Sequence, residues 1–262
     1  MADPAPVENF AYRPGVALDY SCSVARPAGL VVYAHGGSFV SGTRQDRLAG
    51  RFATLIPGMG LAFASIDYRK GGDPWRDLPE GDRPAVEAAA QQSAAVYPEI
   101  AARLFGPLLY RAVQDFGAAV DWLRHDSAGP ALGDLPLIVA GLSAGGMAAL
   151  GYAYGLEGTG GGEAPVLALG IAAVPPQPWR IRPDEACRSA LLLARGDAIM
   201  PRAAVQRMDA DLQARGCPVT VEMIPYGQHN RPVRELLAEE GGHWRDWFPS
   251  QVSSAIHQAR GL

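Results

Sequence analysis

The sequence predicts an α/β fold in which helices flank a mostly parallel central sheet. Short apolar runs of strand length alternate along the chain with segments that have helical spacing, and this alternation is typical of parallel sheets. The chain has 262 residues, 48% of them hydrophobic and 19% charged, which suits one compact domain over residues 1–262. Its 31 glycines and 22 prolines fit many short connections between elements.

The first elements form a strand, helix, strand unit. Residues 30–34 are a short apolar run with β-branched and aromatic members, and Gly36 and Gly37 follow after one histidine. This pattern predicts a buried strand that ends in a tight loop. A helix is predicted around 48–55, and the apolar run 61–66 is predicted to be the next strand.

The second half continues the alternation. From residue 113, apolar side chains recur at intervals of three and four, as on the buried face of a helix. Asp115, Asp121, Arg124 and His125 are expected on its other faces. A buried strand is predicted at 135–140, and the Ala-, Leu- and Met-rich segment 144–154 favours a helix. Further apolar runs predict strands at 166–174, 190–194 and 219–224, and a helix is predicted at 203–214.

Residues 71–107 do not fit this alternating core. The segment is long, opens with a Gly-Gly-Asp-Pro run, and contains an Ala-rich stretch at 84–104. We expect an inserted helical element that acts as a lid within the single domain. Residues 158–162 are predicted to form a flexible surface loop, and the chain after His229 to form a helical region that serves as scaffold.

Charge and cysteine content argue against several classes of partner. The formal net charge is −4 and the 23 basic residues are scattered, so no nucleic acid or membrane partner is expected. The chain starts without a basic region and apolar run, and no stretch is apolar enough to cross a bilayer, so a cytoplasmic protein is expected. The cysteines are isolated, at Cys22, Cys187 and Cys217, and indicate neither disulfides nor a metal site. No metal or organic cofactor is expected, and the sequence leaves a homodimer open.

One pentapeptide points to chemistry, Gly141-Leu142-Ser143-Ala144-Gly145. Small residues on both sides of the serine let a strand turn abruptly into a helix, which strains the serine backbone and exposes its hydroxyl above the sheet. An ordinary Gly-rich turn is the alternative interpretation. Because the pattern follows a predicted buried strand and precedes a predicted helix, Ser143 is predicted to be a nucleophile.

A serine nucleophile needs a base, and after this motif the order along the chain is serine, acid, histidine. His229 lies just past the run 219–224, at the catalytic edge of the predicted sheet. It is preferred over His243, which lies in an apolar segment that packing would explain. His125 and His257 are assigned to helix ends or surfaces.

Asp197 is the predicted acid, because it follows the apolar run 190–194 at the same edge of the sheet. A carboxylate there accepts the proton of the second imidazole nitrogen, fixes the tautomer and stabilises the imidazolium. Asp184 lies before its strand, while Asp209 and Asp211 lie within a predicted helix, so all three fit less well. A solvated loop aspartate is the alternative interpretation of Asp197.

Acyl transfer also needs hydrogen-bond donors for the negative charge on the carbonyl oxygen. The Gly-rich loop after the first predicted strand offers them, and the N–H groups of Gly37 and Ser38 are predicted to join that of Ala144 in an oxyanion hole, at about 3 kcal/mol per donor. A phosphate-binding loop would need a lysine or a Gly-x-Gly-x-x-Gly spacing. His35 is expected to brace this loop.

Five features in order resemble the bacterial hormone-sensitive-lipase-like carboxylesterases of the α/β-hydrolase superfamily: His-Gly-Gly at 35–37, Asp-Tyr-Arg at 67–69, Gly-Leu-Ser-Ala-Gly-Gly at 141–146, Asp197 and His229. The resemblance covers about residues 30–229. It implies an α/β-hydrolase fold, a catalytic triad at Ser143, Asp197 and His229, and an oxyanion loop at Gly37 and Ser38.

The chain departs from that pattern at two places. Leu142 stands where many close members carry Asp, and Lys-Gly-Gly-Asp at 70–73 replaces their Leu-Ala-Pro-Glu. The His-Gly-Gly-x-aromatic loop with Ser-Ala-Gly-Gly is also similar to kynurenine formamidases and related small esterases, which usually carry Trp where Phe39 stands.

The sequence therefore predicts a serine hydrolase that cleaves the carboxylic ester of a small substrate through an acyl-serine intermediate. An aryl-formamide amidase is the alternative within enzymes, followed by a peptidase. A non-catalytic binding protein on the same fold is the alternative outside them.

Overall fold

The computed structural model describes residues 6–159, 162–238 and 242–261. Within those ranges the chain forms an eight-stranded sheet, made of β1 (Val7–Arg13), β2 (Val16–Ser21), β3 (Leu30–Ala34), β4 (Ala62–Ile66), β5 (Leu137–Leu142), β6 (Leu167–Ile171), β7 (Arg188–Ala194) and β8 (Val219–Ile224). Their spatial order is β1-β2-β4-β3-β5-β6-β7-β8, and the pairs from β4 to β8 are parallel. The mostly parallel sheet predicted from the sequence is confirmed.

The first two strands were missed by sequence analysis, which assigns no strand before residue 30. β1 and β2 form a hairpin around Gly15, whose φ of +77° suits the turn, and β2 pairs antiparallel with β4. Most of β1 is exposed or half-buried, whereas β3 is buried throughout. An edge strand of this kind needs no continuous apolar run, so the signal that marks the buried parallel strands is absent.

Helices cover both faces of the sheet. They are α1 (Arg47–Gly58), α2 (Arg83–Val96), α3 (Pro107–His125), α4 (Ala144–Tyr154), α5 (Arg202–Ala214), α6 (Arg231–Leu236) and α7 (Trp247–Ala259). Alternate residues of β3 point to opposite faces: Val31 and Tyr33 pack with α1 and α7, while Val32 and Ala34 pack with α3 and α4. In the described ranges no helix has both the length and the apolar character needed to cross a bilayer.

Parallel pairing brings the carboxyl ends of β3, β5, β7 and β8 to one edge of the sheet. Ala34 at the end of β3 lies opposite Gly141 of β5, and Ala194 at the end of β7 lies opposite Ile224 of β8. The loops that follow these strands carry the candidate site, as expected for an open parallel sheet.

The segment 71–107 contains α2 and several short 3₁₀ turns, so its helical character is observed. It packs beside the carboxyl end of β6, where the Tyr97 hydroxyl donates to the carbonyl oxygen of Pro175 at 2.9 Å. Arg207 of α5 also pairs with Glu99 at 2.6 Å. That this segment acts as a lid stays a prediction.

Two smaller predictions concern the rest of the chain. Residues 160 and 161 of the predicted loop 158–162 lie outside the described residues. The chain after His229 forms α6 and α7, and it contributes Leu236, Trp247 and Phe248 to the buried core.

Candidate active site

Ser143 lies at the junction of β5 and α4, with a φ of 52° and a ψ of −118°. Non-glycine residues rarely adopt such a positive φ, and holding one there costs of order 1–3 kcal/mol. The flanking glycines make the turn sterically feasible, because a Cβ at Gly141 would overlap the backbone of Gly145 and a Cβ at Gly145 would overlap the carbonyl group of Ala34. The local sequence therefore permits the sharp turn that exposes the serine.

Backbone hydrogen bonds fix Ser143 on both sides. Its N–H donates to the carbonyl oxygen of Ile171 on β6 at 2.8 Å, and its carbonyl oxygen accepts from Met147 N–H at 2.9 Å in the first turn of α4. The strained conformation is thus held by the sheet and by the helix together.

His229 follows β8 and reaches Ser143 directly. Its Nε2 lies 2.9 Å from Ser143 Oγ, and its side chain is 16% exposed. Gly227 supports the loop with a φ of +80° and accepts a hydrogen bond from Gly196 N–H at 2.9 Å. The loop after β8 is thereby joined to the loop after β7.

Asp197 orients the imidazole from the opposite side. Its Oδ2 lies 2.7 Å from His229 Nδ1, and its side chain is fully buried. Its Oδ1 accepts from the N–H groups of Ile199 and Met200 at 2.8 and 2.9 Å, so the carboxylate has a fixed direction. Because an ionised carboxylate only accepts, Nδ1 carries the proton and Nε2 presents its lone pair to the serine hydroxyl.

The structure thus brings together the serine, histidine and aspartate that the sequence predicts. The competing residues make contacts of their own: Asp184 pairs with Arg182 and Asp211 with Arg215. His243 packs its ring edge-on against Trp244 at 4.7 Å between centroids.

The predicted oxyanion loop lies on the other side of Ser143. Gly37, Ser38 and Phe39 all have positive φ, at 123°, 53° and 64°, and the Gly37 carbonyl accepts from Ser41 N–H at 3.0 Å. Ala144 begins α4, so its N–H has no acceptor within the helix. Gly37, Ser38, Ser143 and His229 line one cavity of about 370 Å³.

His35 supports this loop from below and is fully buried. Its Nδ1 lies 2.6 Å from the carbonyl oxygen of Gly36, and its Nε2 lies 3.2 Å from Asp67 Oδ1. Its ring stacks on Tyr68 at 4.5 Å between centroids, and the Tyr68 hydroxyl donates to the His35 carbonyl oxygen at 2.9 Å. These contacts are those of a bracing residue.

Asp67 stays charged beneath the loop. Burial acts to raise the pKa of Asp67, but the neighbouring His35 ring, hydrogen bonds from Arg44 and the charge of Lys70 outweigh it and hold that pKa below its ordinary value. Arg44 pairs with Asp67 at 2.7 Å and with Asp19 at 2.9 Å.

The sequence places Asp115 and Arg124 off the buried face of α3, and this prediction is wrong, because both residues are buried. The Asp115 side chain is fully buried and pairs with Arg69 and Arg13, both at 2.9 Å. Arg69 N–H also donates to Asp115 Oδ2 at 2.8 Å. Helical periodicity gives no sign of a partner from another part of the chain, and without a partner such burial is unfavourable.

Five cavity-lining residues were also missed: Gly42, Thr43, Asp46, Ile199 and Asn230. They lie in loops or at helix starts, where no apolar period marks which way they face. Among the residues described, no group of three or more His, Cys, Asp or Glu side chains is placed to hold a metal ion.

No protein-family model and no curated protein matches the sequence. Solved structures do match it. Esterase 2 of Thermogutta terrifontis, solved after phosphoramylation by tabun, has a TM-score of 0.62 and 14% identity, covering 99% of this chain and 93% of that one. A truncated carbohydrate esterase from gut microbiota has a TM-score of 0.65 and 11% identity, covering 97% of this chain and 98% of that one.

A third similar structure comes from a deep-sea metagenome. MGS-M1, an α/β hydrolase enzyme from the Medee basin, has a TM-score of 0.63 and 13% identity, and the match covers 100% of both chains. Because these matches cover the whole chain or nearly all of it, we conclude that the protein has the α/β-hydrolase fold. The structural similarity establishes the fold. Because the identities are this low, the reaction has to be argued from the site itself.

Proposed function

We propose that this protein is a serine hydrolase that cleaves the carboxylic ester of a small substrate through an acyl-serine intermediate. The observation that carries the proposal is the continuous hydrogen-bonded chain from Ser143 Oγ through His229 to Asp197, which opens on a cavity. The motifs that resemble those of hormone-sensitive-lipase-like carboxylesterases support a carboxylesterase within this fold. The esterases among the similar structures, one of them phosphoramylated by tabun, support the same class of reaction.

In the first half-reaction the Ser143 oxygen attacks the ester carbonyl carbon while His229 Nε2 takes the hydroxyl proton. The charge that develops on the carbonyl oxygen faces the N–H groups of Gly37, Ser38 and Ala144. The tetrahedral intermediate then expels the alcohol, which receives the proton from His229. Asp197 accepts a hydrogen bond from Nδ1–H throughout and stabilises the imidazolium.

The second half-reaction repeats these steps with water. His229 removes a proton from a water molecule, whose oxygen attacks the acyl carbon and breaks its bond to Ser143. The serine oxygen recovers the proton from His229, and the acid product leaves. The donors that stabilised the first tetrahedral intermediate stabilise the second as well.

Replacement of the nucleophile tests the proposal. Ser143→Ala is expected to lower kcat on short 4-nitrophenyl esters by about 10⁴-fold or more and to abolish labelling by a fluorophosphonate probe. Ser253→Ala, at an exposed position of α7, is the matched control and should behave as wild type. Hydrolysis by Ser143→Ala at the wild-type rate, or a wild-type protein that neither turns over esters nor takes the label, contradicts the proposal. Formylated aromatic amines assayed beside the esters separate ester from formamide hydrolysis.

A further inference from the structure

One acidic residue of the cavity wall takes no part in the proposed ester hydrolysis. Asp46 immediately precedes α1 and lines the same cavity as Ser143 and His229. Its Oδ1 accepts a hydrogen bond from Ala49 N–H at 2.8 Å, which is the usual N-cap arrangement. The carboxylate is therefore anchored to the helix while the residue borders the space next to the serine.

The second carboxylate oxygen is held by a buried tyrosine. The Tyr33 hydroxyl donates to Asp46 Oδ2 at 2.8 Å, and Tyr33 is fully buried. Burial, and next the Asp46 charge, raise the pKa of Tyr33, so the phenol keeps its proton and remains a donor. Two neutral donors thus fix the direction of the carboxylate without neutralising it.

No basic side chain within the described ranges neutralises Asp46. The residues that line the cavity there include no Lys or Arg. Arg44 pairs with Asp19 and Asp67, and Lys70 pairs with Asp67. The positive end of α1 offsets part of the Asp46 charge, by roughly half a unit. Asp46 therefore contributes to the cavity wall a carboxylate that pairs with no Lys or Arg among the described residues.

We propose that Asp46 makes this cavity selective for small esters that carry a positive charge in their acyl or alcohol part. The inference rests on the proposed ester hydrolysis and adds the class of substrate to it. Leu142 and Ile199 supply apolar contacts for the carbon atoms around a cationic centre, and Thr43 and Asn230 supply neutral polar ones. A cation gains from a fixed, unneutralised carboxylate, whereas an anionic substrate is repelled.

Two esters of nearly equal shape test the inference. Acetylcholine and 3,3-dimethylbutyl acetate differ in having a quaternary nitrogen or a carbon at the same position, and acid release in a pH-stat follows both. The kcat/KM for the cationic ester should be about five times that for the neutral ester or more, which is the effect of one screened charge pair. The ratio of the two kcat/KM values should fall as salt is added, because the attraction is screened.

Asp46→Asn should bring this ratio close to one. Asparagine caps helices about as well as aspartate, so α1 is retained, and a thermal unfolding midpoint near that of wild type verifies it. Asp73→Asn is the matched control, because Asp73 also caps a helical turn and contributes nothing to the described lining of the cavity. This control should leave the ratio at the wild-type value.

The outcomes separate the two proposals. Hydrolysis of the neutral ester with a ratio that is equal in wild type and Asp46→Asn overturns the cationic subsite and leaves ester hydrolysis standing. A wild-type preference for the neutral ester does the same. Absence of turnover with both esters and with 4-nitrophenyl acetate overturns both proposals together.

Discussion

The two sides of Ser143 are held by different kinds of contact. On the oxyanion side, the segment 67–71 donates to the loop 35–42 at three points, from Tyr68 Oη to the His35 carbonyl at 2.9 Å, from Lys70 Nζ to the Gly42 carbonyl at 2.7 Å, and from Gly71 N–H to the Phe39 carbonyl at 2.9 Å. On the other side, two backbone bonds of 2.9 Å join Arg195 to Ile224 and Gly196 to Gly227, and Asp197 holds the His229 side chain directly.

The difference follows from what each side must position. Oxyanion donors are backbone N–H groups, so their aim depends on the φ and ψ angles of the whole loop. Ser38 and Phe39 have positive φ, and non-glycine residues persist there only when surrounding contacts impose it. A histidine base acts through its side chain, and one buried carboxylate is enough to orient it.

The side of His229 and Asp197 should respond most strongly to a single change, because one carboxylate orients the base. Asp197→Asn keeps the side-chain shape, and the Asn carbonyl oxygen can still accept from the N–H groups of Ile199 and Met200. Its NH₂ then faces His229 Nδ1, which favours the tautomer with the proton on Nε2, where no base is left for Ser143. We expect kcat to fall by about 10⁴-fold, measured with a short 4-nitrophenyl ester.

A matched control for that change is Asp184→Asn, at an exposed position that pairs with Arg182. It should keep wild-type kcat. Retention of more than a tenth of the wild-type kcat by Asp197→Asn would mean that this carboxylate does not orient the base.

A change on the oxyanion side should lower kcat less, because several N–H donors together stabilise the negative charge on the carbonyl oxygen. Gly37→Ala places a Cβ against the carbonyl group of Ser41, at a φ of +123°. The loop must shift, and we expect a loss of about 10²- to 10³-fold in kcat, the contribution of one donor. Gly60→Ala also has a positive φ, at +76°, with open space for a Cβ, and should keep its activity. Equal losses in the two variants would show that strain alone, and not the aim of the donors, lowers the rate.

The sequence predicts the serine, the acid and the histidine because each lies just past an apolar run. Ser143, Asp197 and His229 follow β5, β7 and β8, and parallel pairing brings those strand ends to one edge. The small residues around Ser143 and in the loop at 36–37 likewise have a local steric reason. Their positions could therefore be read in the chain, while their catalytic roles stay predictions.

The supports of the oxyanion side could not be predicted in the same way. Asp115 interrupts the apolar period of α3, and its partners Arg69 and Arg13 lie 46 and 102 residues away in the chain. The same holds for Asp46 on the cavity wall, which in the sequence has the appearance of an ordinary helix cap. Only tertiary structure shows that the first carboxylate is buried and that the second borders the cavity.

Asp115→Asn tests whether the buried ion pair positions the oxyanion loop. It leaves the Arg69 guanidinium with Asp77, at 2.7 Å, and removes the charge that holds it from α3. The free energy of unfolding should fall by about 3 kcal/mol, as when one partner of a buried pair is lost. In the folded protein, kcat should fall by about tenfold, a fraction of what one oxyanion donor contributes.

A purely structural role for Asp115 would lower stability without this change in rate, so the two readouts are measured separately. Denaturant unfolding gives the first, and kcat well below the unfolding temperature gives the second. Affinity for a boronic acid, whose adduct with Ser143 uses the oxyanion donors, should fall in parallel with kcat, whereas KM for the ester should change little. Asp121→Asn, at an exposed position of the same helix, should leave all of these unchanged. If Asp115→Asn lost stability but kept both kcat and boronic acid affinity, the ion pair would support the fold alone, and the loop would depend only on the contacts of the segment 67–71.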